Sequence, residues 1–385
     1  MKPLIVDTLA SGKGTRLTTR DVIGAGPRTV AGVLEKHGME PTIVPVEKFL
    51  RGKNEIKGFD VILISGMTPD ISAMGKTIRK WRRGNNGSVI IGGPASSEPE
   101  RVLKRTGADI AITGEGEMTL SELIDLGALH GATDGLDKVL GISYRIKKTV
   151  TVNPLRSVQS REIFKEYQAS TDTITGYDLY KSARVYVEIL RGCSNYHRAR
   201  IGPLGDSCTF CEQCTELGLT ERYDCPVGIP PGCGYCSVPS LYGPPKSRQS
   251  ELIINEVRRL LDLGVHRIVL SAPGFLDYGR ELLVEPDPLT DPRNPEPNYD
   301  EIKGLLSGLT ELPQMKSGNA SLMIENLKAS LVTKRAANLL GSYLTDTPVS
   351  VGFETGSDSH SVQLGRPDTP SETLVSLRRL KEAGM

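Results

Sequence analysis

The sequence predicts an α/β protein in which a doubly wound, Rossmann-like sheet is followed by part of a βα barrel. Three observations predict this fold class. Short runs rich in Val and Ile alternate with amphipathic stretches over residues 1–125, and a second series of the same kind begins near residue 184. All 7 cysteines lie within residues 193–236, directly after the first strand of the second series. A binding domain followed by a thiol-bearing barrel accounts for all three.

Residues 1–127 are predicted to form the first domain. Its apolar runs have the composition of parallel strands that are buried on both faces. Polar, glycine-rich segments (DTLASGKG, SGMTPD, GGPASS and GEGE) follow four of these runs, where ligands bind in such sheets. The predicted strands are PLIVD (3–7), TIVPV (42–46), DVILIS (60–65), SVIIG (88–92) and DIAIT (109–113).

Residues 128–182 are predicted to be a linker with a short β stretch, GISYRI, and residues 183–385 to be the barrel domain. Four strand–helix units cannot close a barrel of eight. We therefore expect a truncated barrel, with the remainder missing or supplied by another chain. The predicted strands are RVYVEIL (184–190), HRIVLS (266–271), ASLMI (320–324) and VSVGFE (349–354), the helices are 250–264, 333–344 and 371–384, and a loop covers 284–299.

Composition excludes several classes of protein. A net charge of +1 argues against nucleic-acid and membrane-surface partners. No apolar run is long enough to span a bilayer, and the N-terminus is too polar for a signal peptide. We expect a cytoplasmic protein. An odd number of clustered cysteines in such a protein favours metal binding over disulfides, and thiolates select zinc or iron–sulfur clusters.

The second domain resembles the radical S-adenosylmethionine (SAM) enzymes. The resemblance rests on RGC (191–193), on Cys233-Gly-Tyr-Cys236 and on the run SVPSLYGPPKSRQSELIINEV that follows. In that family three cysteines hold a [4Fe-4S] cluster and leave one iron free for SAM. An aromatic residue precedes the last cysteine and lies beside the SAM adenine. The resemblance implies this role for Tyr235.

The cysteine spacing departs from the family's usual CxxxCxφC motif, in which φ is an aromatic residue. An insertion at 194–225 accounts for the departure and divides the cysteines into three and four. We favour Cys225, Cys233 and Cys236 for the SAM cluster, with Cys193 as the alternative first ligand. A rival assignment uses Cys193, Cys208 and Cys211, because CTFC also fits CxφC. The remaining thiols, including Cys214, would form a second site for zinc or iron–sulfur. The alternative is that all seven bind structural zinc.

The first domain resembles the cobalamin-binding domain that precedes the barrel in many radical SAM enzymes. The resembling stretches are Ser65, IIGGP (90–94) and ADIAITGEGEMTLSELI (108–124). Glycines there allow close approach of backbone to the nucleotide tail. The cobalamin contacts that the resemblance implies are Asp7, Leu9, Gly12, Ser65, Gly92, Gly93, Gly114, Glu115 and Gly116.

One position departs from the cobalamin motif DxHxxG, which supplies a histidine as the lower axial ligand of cobalt. Asp7 and Gly12 keep the frame, but Leu9 stands in place of the histidine. A leucine cannot ligate cobalt. The resemblance therefore implies cobalamin bound without a protein imidazole, or a domain that has lost its cofactor.

The whole resemblance is to a class B radical SAM methyltransferase of archaeal type. It implies reductive cleavage of SAM and methylation of an unactivated carbon through cobalamin, with an electron donor such as ferredoxin or flavodoxin. The substrate would be a protein side chain or a small molecule, and no catalytic residue is assigned. The alternatives are another radical SAM reaction, such as rearrangement or sulfur insertion, and a zinc-bearing binding protein. The resemblance also implies SAM contacts from Gly274, Phe275, Glu354 and Ser357.

Overall fold

The structure is a computed structural model that describes residues 1–52, 56–202, 205, 208 and 211–385. It divides into two compact units, Met1–Val185 with Asp262–Val265, and Tyr186–Leu261 with His266–Met385. The predicted first domain and the predicted linker both fall in the first unit. Within the described ranges, no helix combines the length and the apolar character needed to cross a bilayer.

The first unit is built on a seven-stranded sheet. Its strands are β1 Pro3–Asp7, β3 Thr42–Pro45, β4 Val61–Ser65, β5 Val89–Gly92, β6 Ile110–Ile112, β7 Ile142–Ile146 and β8 Thr149–Val152, and a short β2 (Val22–Ile23) lies outside the sheet. The order is β3–β1–β4–β5–β6–β7–β8, and the first five strands are parallel. These five are the strands that the sequence predicts. The segment predicted as a linker adds two antiparallel strands to this sheet. Strand β7, which lies in GISYRI, pairs with β6, and β8 pairs with β7.

Helices cover the first sheet and end where the sequence indicates. They are α1 Ala25–Lys36, α2 Val46–Arg51, α3 Ile71–Arg82, α4 Pro99–Thr106, α5 Glu117–Asp125 and α6 Ile163–Glu166. Helix α1 ends at Lys36, and Gly38 follows it with a φ of 73°, which glycine adopts without strain. The core is apolar, and all five residues of β1 are buried. Consecutive buried residues on one strand require cover on both faces, which confirms the doubly wound prediction.

The second unit contains the barrel strands. Its strands are β9 Arg184–Glu188, which begins in the first unit, β10 Leu190–Arg191, β11 Lys246–Ser247, β12 Arg267–Ser271, β13 Ser321–Ile324, β14 Asn326–Leu327 and β15 Ser350–Val351. Strand β12 lies between β9 and β13, and β12 and β13 are parallel. Described helices are α7 Gln213–Glu216, α8 Val238–Tyr242, α9 Ser250–Asp262, α10 Tyr299–Thr310, α11 Pro313–Lys316, α12 Lys334–Tyr343, α13 Asp358–Gln363 and α14 Pro370–Glu382.

Two details of the second unit differ from the sequence prediction. The predicted strand 349–354 is reduced to β15, which pairs with β14. Glu354, within the predicted strand, has a φ of 56°, outside the extended region. Helix α10 is absent from the prediction, although its buried residues Ile302, Leu305, Leu306 and Leu309 have helical spacing.

Candidate functional site

The parallel strands of the first sheet end at one edge, and the predicted cobalamin residues gather there. Asp7 ends β1, Ser65 ends β4 and Gly92 ends β5, and these strands are neighbours in the sheet. The register aligns Asp7 with Ser65 and Ser65 with Gly92. The structure therefore brings together three side-by-side positions that lie far apart in sequence.

Glycines shape this edge through their lack of a side chain. A Cβ on Gly66 would lie 2.2 Å from the Thr8 hydroxyl, and a Cβ on Gly93 would lie 2.8 Å from the Gly66 carbonyl oxygen. Gly93 also has a φ of 85°. A Cβ on Gly92, by contrast, would meet nothing within 4 Å. The edge therefore holds a tightly packed backbone behind an open space that an added methyl group would enter.

Asp70, which the sequence analysis did not single out, fixes the loop after β1. Its carboxylate is fully buried and accepts main-chain N–H bonds from Ala10 (3.0 Å), Gly12 (2.8 Å) and Met67 (3.0 Å). Ala10 and Gly12 both have positive φ values, 50° and 53°. An ionised acceptor for three N–H groups can hold such a loop. The signal was present in SGMTPD, where an aspartate follows Thr-Pro at the start of a helix.

Asp7 is buried and has partners other than a histidine. It accepts hydrogen bonds from the Tyr177 hydroxyl (2.9 Å) and the Leu9 N–H (3.0 Å), and its carboxylate lies 3.4 Å from the Arg16 guanidinium. Burial raises the pKa of Asp7 even though Arg16 opposes it. Leu9 itself is partly buried, and its carbonyl accepts from Thr19 (2.8 Å). Tyr177 and Arg16 therefore hold Asp7, the first residue of the DxHxxG motif, in place.

The first three residues of the GEGE segment have different structural roles. Gly114 turns with a φ of 81°, and Gly116 precedes α5. The buried Glu115 carboxylate accepts the main-chain N–H of Gln159 at 2.7 Å. Gly114 and Gly116 lie in the segment between β6 and α5, and Glu115 has a partner within the chain.

In the second unit, Asn195 joins two cysteines that are 40 residues apart. Its main-chain N–H and its side-chain amide each approach a sulfur at 3.4 Å, the first that of Cys193 and the second that of Cys233. The N–H of Cys236 donates to the carbonyl of Cys233 at 2.8 Å. Cys193, Cys233 and Cys236, the cluster triad, therefore form one group.

Glycines on both sides hold Cys233 in place. The Gly232 N–H donates to the His197 carbonyl (2.8 Å), and the Gly234 N–H donates to the Leu364 carbonyl (2.9 Å). A Cβ at Gly232 would lie 2.6 Å from Pro239, and one at Gly234 would lie 2.8 Å from the Ala199 Cβ. Any larger residue on either side of Cys233 would therefore be too close to these neighbours, which explains the two glycines of the sequence GCG.

The other four cysteines, the insertion tetrad, are Cys208, Cys211, Cys214 and Cys225. Burial raises the pKa of the Cys208 thiol, and the other three thiols add to the shift, so they lie near it. Cys225 differs, because N–H groups of Ile229, Val227 and Gly228 outweigh burial and lower its pKa. This grouping places Cys225 with the insertion, which favours the Cys193 alternative over our sequence preference. Phe210 of the rival CTFC assignment lies outside the described residues.

Two thiols of the triad, those of Cys233 and Cys236, have raised pKa values. Burial raises the pKa of Cys233, and so does the neighbouring Cys193 charge. Burial likewise raises the pKa of Cys236. Among the described side chains, no three of the His, Cys, Asp and Glu type are arranged to hold a metal ion. Thiols bind metal as thiolates, so metal binding here would release their protons.

Around the triad, Tyr235 is half exposed and accepts a hydrogen bond of 2.5 Å from the Arg366 guanidinium. Arg366 also donates to the Gly352 carbonyl at 2.9 Å and lies 3.8 Å from the Glu354 carboxylate. The sequence analysis missed this arginine, which links two predicted residues. Of the other predicted SAM contacts, Phe275 is fully buried, Gly274 packs against the Lys328 side chain, and Ser357 caps α13.

Comparison with known proteins defines the class. A model of the B12 binding domain matches residues 18–124. The structure of the radical S-adenosylmethionine methyltransferase TsrM from Kitasatospora setae, with cobalamin and a [4Fe-4S] cluster bound, matches 100% of this chain and 68% of TsrM. The TM-score is 0.66 at 14% identity. The chain therefore has the fold of a cobalamin-dependent radical SAM enzyme, which confirms the resemblance read from the sequence.

Its family is defined by sequence. The chain is 42% identical to Uncharacterized protein MJ1620 of Methanocaldococcus jannaschii over 386 residues, which is 99% of this chain and 71% of that protein. The chain belongs to the family of MJ1620. A shorter stretch is 29% identical over 147 residues to ribosomal protein uS12 methylthiotransferase RimO of Clostridium acetobutylicum, covering 36% of this chain and 31% of RimO.

Proposed function

We propose that this protein is a radical SAM enzyme that cleaves SAM at a [4Fe-4S] cluster and methylates an unactivated carbon with the help of cobalamin. The observation that carries the proposal is the contact of Asn195 with both Cys193 and Cys233. Together with Cys236, whose N–H donates to the Cys233 carbonyl, these contacts group three thiols, the number that leaves one iron of a four-iron cluster open. The open iron is the position at which SAM binds in this class.

The cluster triad fits a cluster better than it fits zinc. A structural zinc site closes with four ligands, whereas the triad offers three thiols and the Asn195 amide donates to Cys233. Cys193 follows β10 through Gly192, whose φ of 87° turns the chain into the cysteine segment. The three sulfurs would then reorient toward a common centre as they lose their protons.

Side chains beside the triad would position SAM. We propose that the half-exposed Tyr235 ring lies along the adenine, with its hydroxyl fixed by Arg366. Glu354 and Ser357 remain candidates for the ribose or the amino-acid end. Phe275 is fully buried, so we propose that it shapes the pocket wall while Gly274 provides close approach. The bound cluster would supply the electron that breaks the sulfonium bond.

The edge of the first sheet fits a cobalamin tail. Gly92 faces open space, Gly93 and Gly66 pack the backbone behind it, and Asp70 fixes the loop that contains Leu9. Bound cobalamin would supply the methyl group. This chain's part is to bind the nucleotide tail and, through Leu9, to present an apolar side chain where other domains present imidazole.

We propose that the insertion tetrad forms a second metal site, independent of the cluster. Cys225 accepts main-chain N–H groups, which stabilise its thiolate. The side-chain amide of Gln213 donates to the carbonyls of Glu221 (3.0 Å) and Asp224 (3.4 Å), which ties the Cys214 helix to the segment before Cys225. Four thiols close a tetrahedral zinc site, whereas an iron–sulfur cluster is the alternative occupant.

The similarity to RimO favours one second candidate, sulfur insertion. It would use the same cluster triad and the same SAM site. The distinguishing feature is the first unit, because a methylating enzyme needs cobalamin there. Cobalamin content therefore separates the two candidates.

The test is anaerobic purification with cobalamin supplied, followed by reconstitution with iron and sulfide. We expect a brown protein that holds close to one cobalamin and cleaves SAM to methionine and 5′-deoxyadenosine when reduced. A protein that holds only zinc and does not cleave SAM would overturn the proposal. A protein that cleaves SAM but binds no cobalamin would support sulfur insertion instead.

A further inference from the structure

A buried group of charges lies beside the cluster triad. The Asp277 carboxylate contacts both the Lys328 ammonium and the Arg280 guanidinium, and Asp277 and Arg280 are fully buried while Lys328 is 7% exposed. The Ser194 hydroxyl lies 3.0 and 3.1 Å from the two Asp277 oxygens and accepts from Lys328 at 2.7 Å. Sequence reasoning found none of these four residues.

The group has an excess of positive charge. It contains two cations and one carboxylate, and burial of an uncompensated charge costs several kcal/mol. All the donors of Arg280 are used, by Asp277, by Ser194 and by the carbonyls of Pro295 and Asp291. In the part of the chain that the structure describes, no second carboxylate contacts Lys328 or Arg280. Nearby acids are paired elsewhere, Asp291 with Arg222 at 2.8 Å and Glu325 with Ser271 at 2.6 Å.

Lys328 places the excess positive charge beside the triad. An ammonium has three N–H groups, and two of them reach Ser194 and Asp277. Ser194 is the residue after Cys193, so the ammonium lies next to the peptide that bears the first thiol. Burial lowers the pKa of Lys328, but Asp277 and the Cys193 charge outweigh it, which is consistent with this placement.

We propose that Lys328 is the fixed counter-charge of the cluster triad and raises the reduction potential of an iron–sulfur cluster held there. This inference rests on the proposed function, because it needs a cluster on Cys193. Reduction by an external one-electron donor adds one negative charge to the thiolate-ligated cluster. A cation held in a poorly solvated site stabilises that added charge. Ser194 and Asp277 are positioning residues, since they fix the ammonium and touch no ligand.

The test is an EPR-monitored redox titration of the reconstituted protein without SAM. We expect Lys328→Met to lower the equilibrium constant for cluster reduction by about tenfold, a shift of 59 mV to more negative potential for a one-electron couple. Lys328→Gln keeps donors for Ser194 and Asp277 but lacks the charge, so it should shift the potential in the same direction. Lys328→Arg should stay within about threefold of the parent. Exposed Lys334, changed to Met, is the matched control and should have no effect.

Asp277→Asn provides the opposite change, because it removes the only carboxylate and leaves two cations. We expect a more positive potential. A purely structural role would move both variants in one direction, or change cluster content alone. An unchanged potential in Lys328 variants that hold a full cluster overturns the inference and leaves the proposed function intact. If the Lys328 variants do not fold, the direction of the Asp277→Asn shift decides, and if the parent forms no cluster, both proposals fail.

Discussion

The two units build their candidate sites from different parts of the amino acids. In the first unit the site is mostly backbone, with glycines that allow close packing and one buried carboxylate, Asp70, that holds three N–H groups. In the second unit the site is made of side chains, with thiols, an aromatic ring and buried charges. The difference teaches how each site should fail. Removal of one sulfur atom should abolish the site in the second unit, whereas addition of one methyl carbon should damage the site in the first unit.

The largest effect is expected from the cysteine that decides the thiol grouping. Cys193→Ala should reduce the iron of the SAM cluster and SAM cleavage to the level of unreconstituted protein, because two thiols cannot hold a four-iron cluster. Cys225→Ala should keep SAM cleavage and lose one tightly bound metal ion, because Cys225 lies with the insertion tetrad. Metal analysis together with an assay for 5′-deoxyadenosine measures both.

The pair of variants is its own control, since each removes one thiol from the same short region. The reverse result, with SAM cleavage lost in Cys225→Ala and kept in Cys193→Ala, would restore the assignment favoured by the sequence. Equal loss in both would contradict the division into triad and tetrad.

The next effect tests the backbone site of the first unit. Gly92→Ala places a methyl group in open space, so the fold should keep its stability while cobalamin affinity falls by about tenfold, or about 1.4 kcal/mol. Equilibrium binding and urea unfolding measure the two quantities. Gly304→Ala is the matched control, because it also meets nothing within 4 Å but lies in helix α10. Unchanged cobalamin affinity in Gly92→Ala would place the cofactor elsewhere.

The sequence predicted the elements of the first unit well. All five parallel strands were found from apolar composition, because a strand buried on both faces leaves a continuous Val and Ile run. The strand ends also indicated Ser65, Gly92 and Gly93 as the site edge, since parallel strands all end on one side. Asp70 was missed because its role depends on a loop 58 residues away, whose Gly12 N–H donates to its carboxylate.

The side-chain site was predicted in composition but not in pairing. Spacing indicated that the cysteines divide into three and four, yet it favoured Cys225 and left the pairing of Cys193 with Cys233 across an insertion as the alternative. That pairing depends on the turn at Gly192 and on Asn195, which are tertiary features. The buried group of Ser194, Asp277, Arg280 and Lys328 was not predicted for the same reason, because its members come from three separate segments.

A smaller effect is expected where the first unit does use a side chain. Leu9→His would restore the DxHxxG pattern, with Asp7 and Gly12 already in place. An imidazole ligand to cobalt should disfavour methyl transfer to a carbon radical. Formation of the methylated product should therefore fall while SAM cleavage continues. The ratio of methylated product to 5′-deoxyadenosine measures this uncoupling. Leu9→Met is the control, because it keeps an apolar side chain of similar volume, and an unchanged ratio in Leu9→His would contradict the apolar role.

The smallest expected effect is a difference in acid response between the units. In the first, burial raises the pKa of Asp7 above its ordinary 3.8, so the folded state takes up a proton more readily and gains stability as the pH falls toward 3.8. In the second, burial raises the pKa of Asp277, but Lys328 and Arg280 outweigh it and hold it below 3.8.

Asp277 therefore contributes stability that is fully present above pH 3.8 and lost as the pH falls through its folded value. Hydrogen-exchange protection factors, corrected for the intrinsic rate, should rise in peptides of the first unit as the pH falls toward 3.8. They should fall in peptides of the second unit only below about pH 4. Asp7→Asn should remove the first change and leave the second. Loss of protection in both units over one pH range would mean that the buried carboxylates of the two sites respond alike, and that the contrast between them does not extend to their electrostatics.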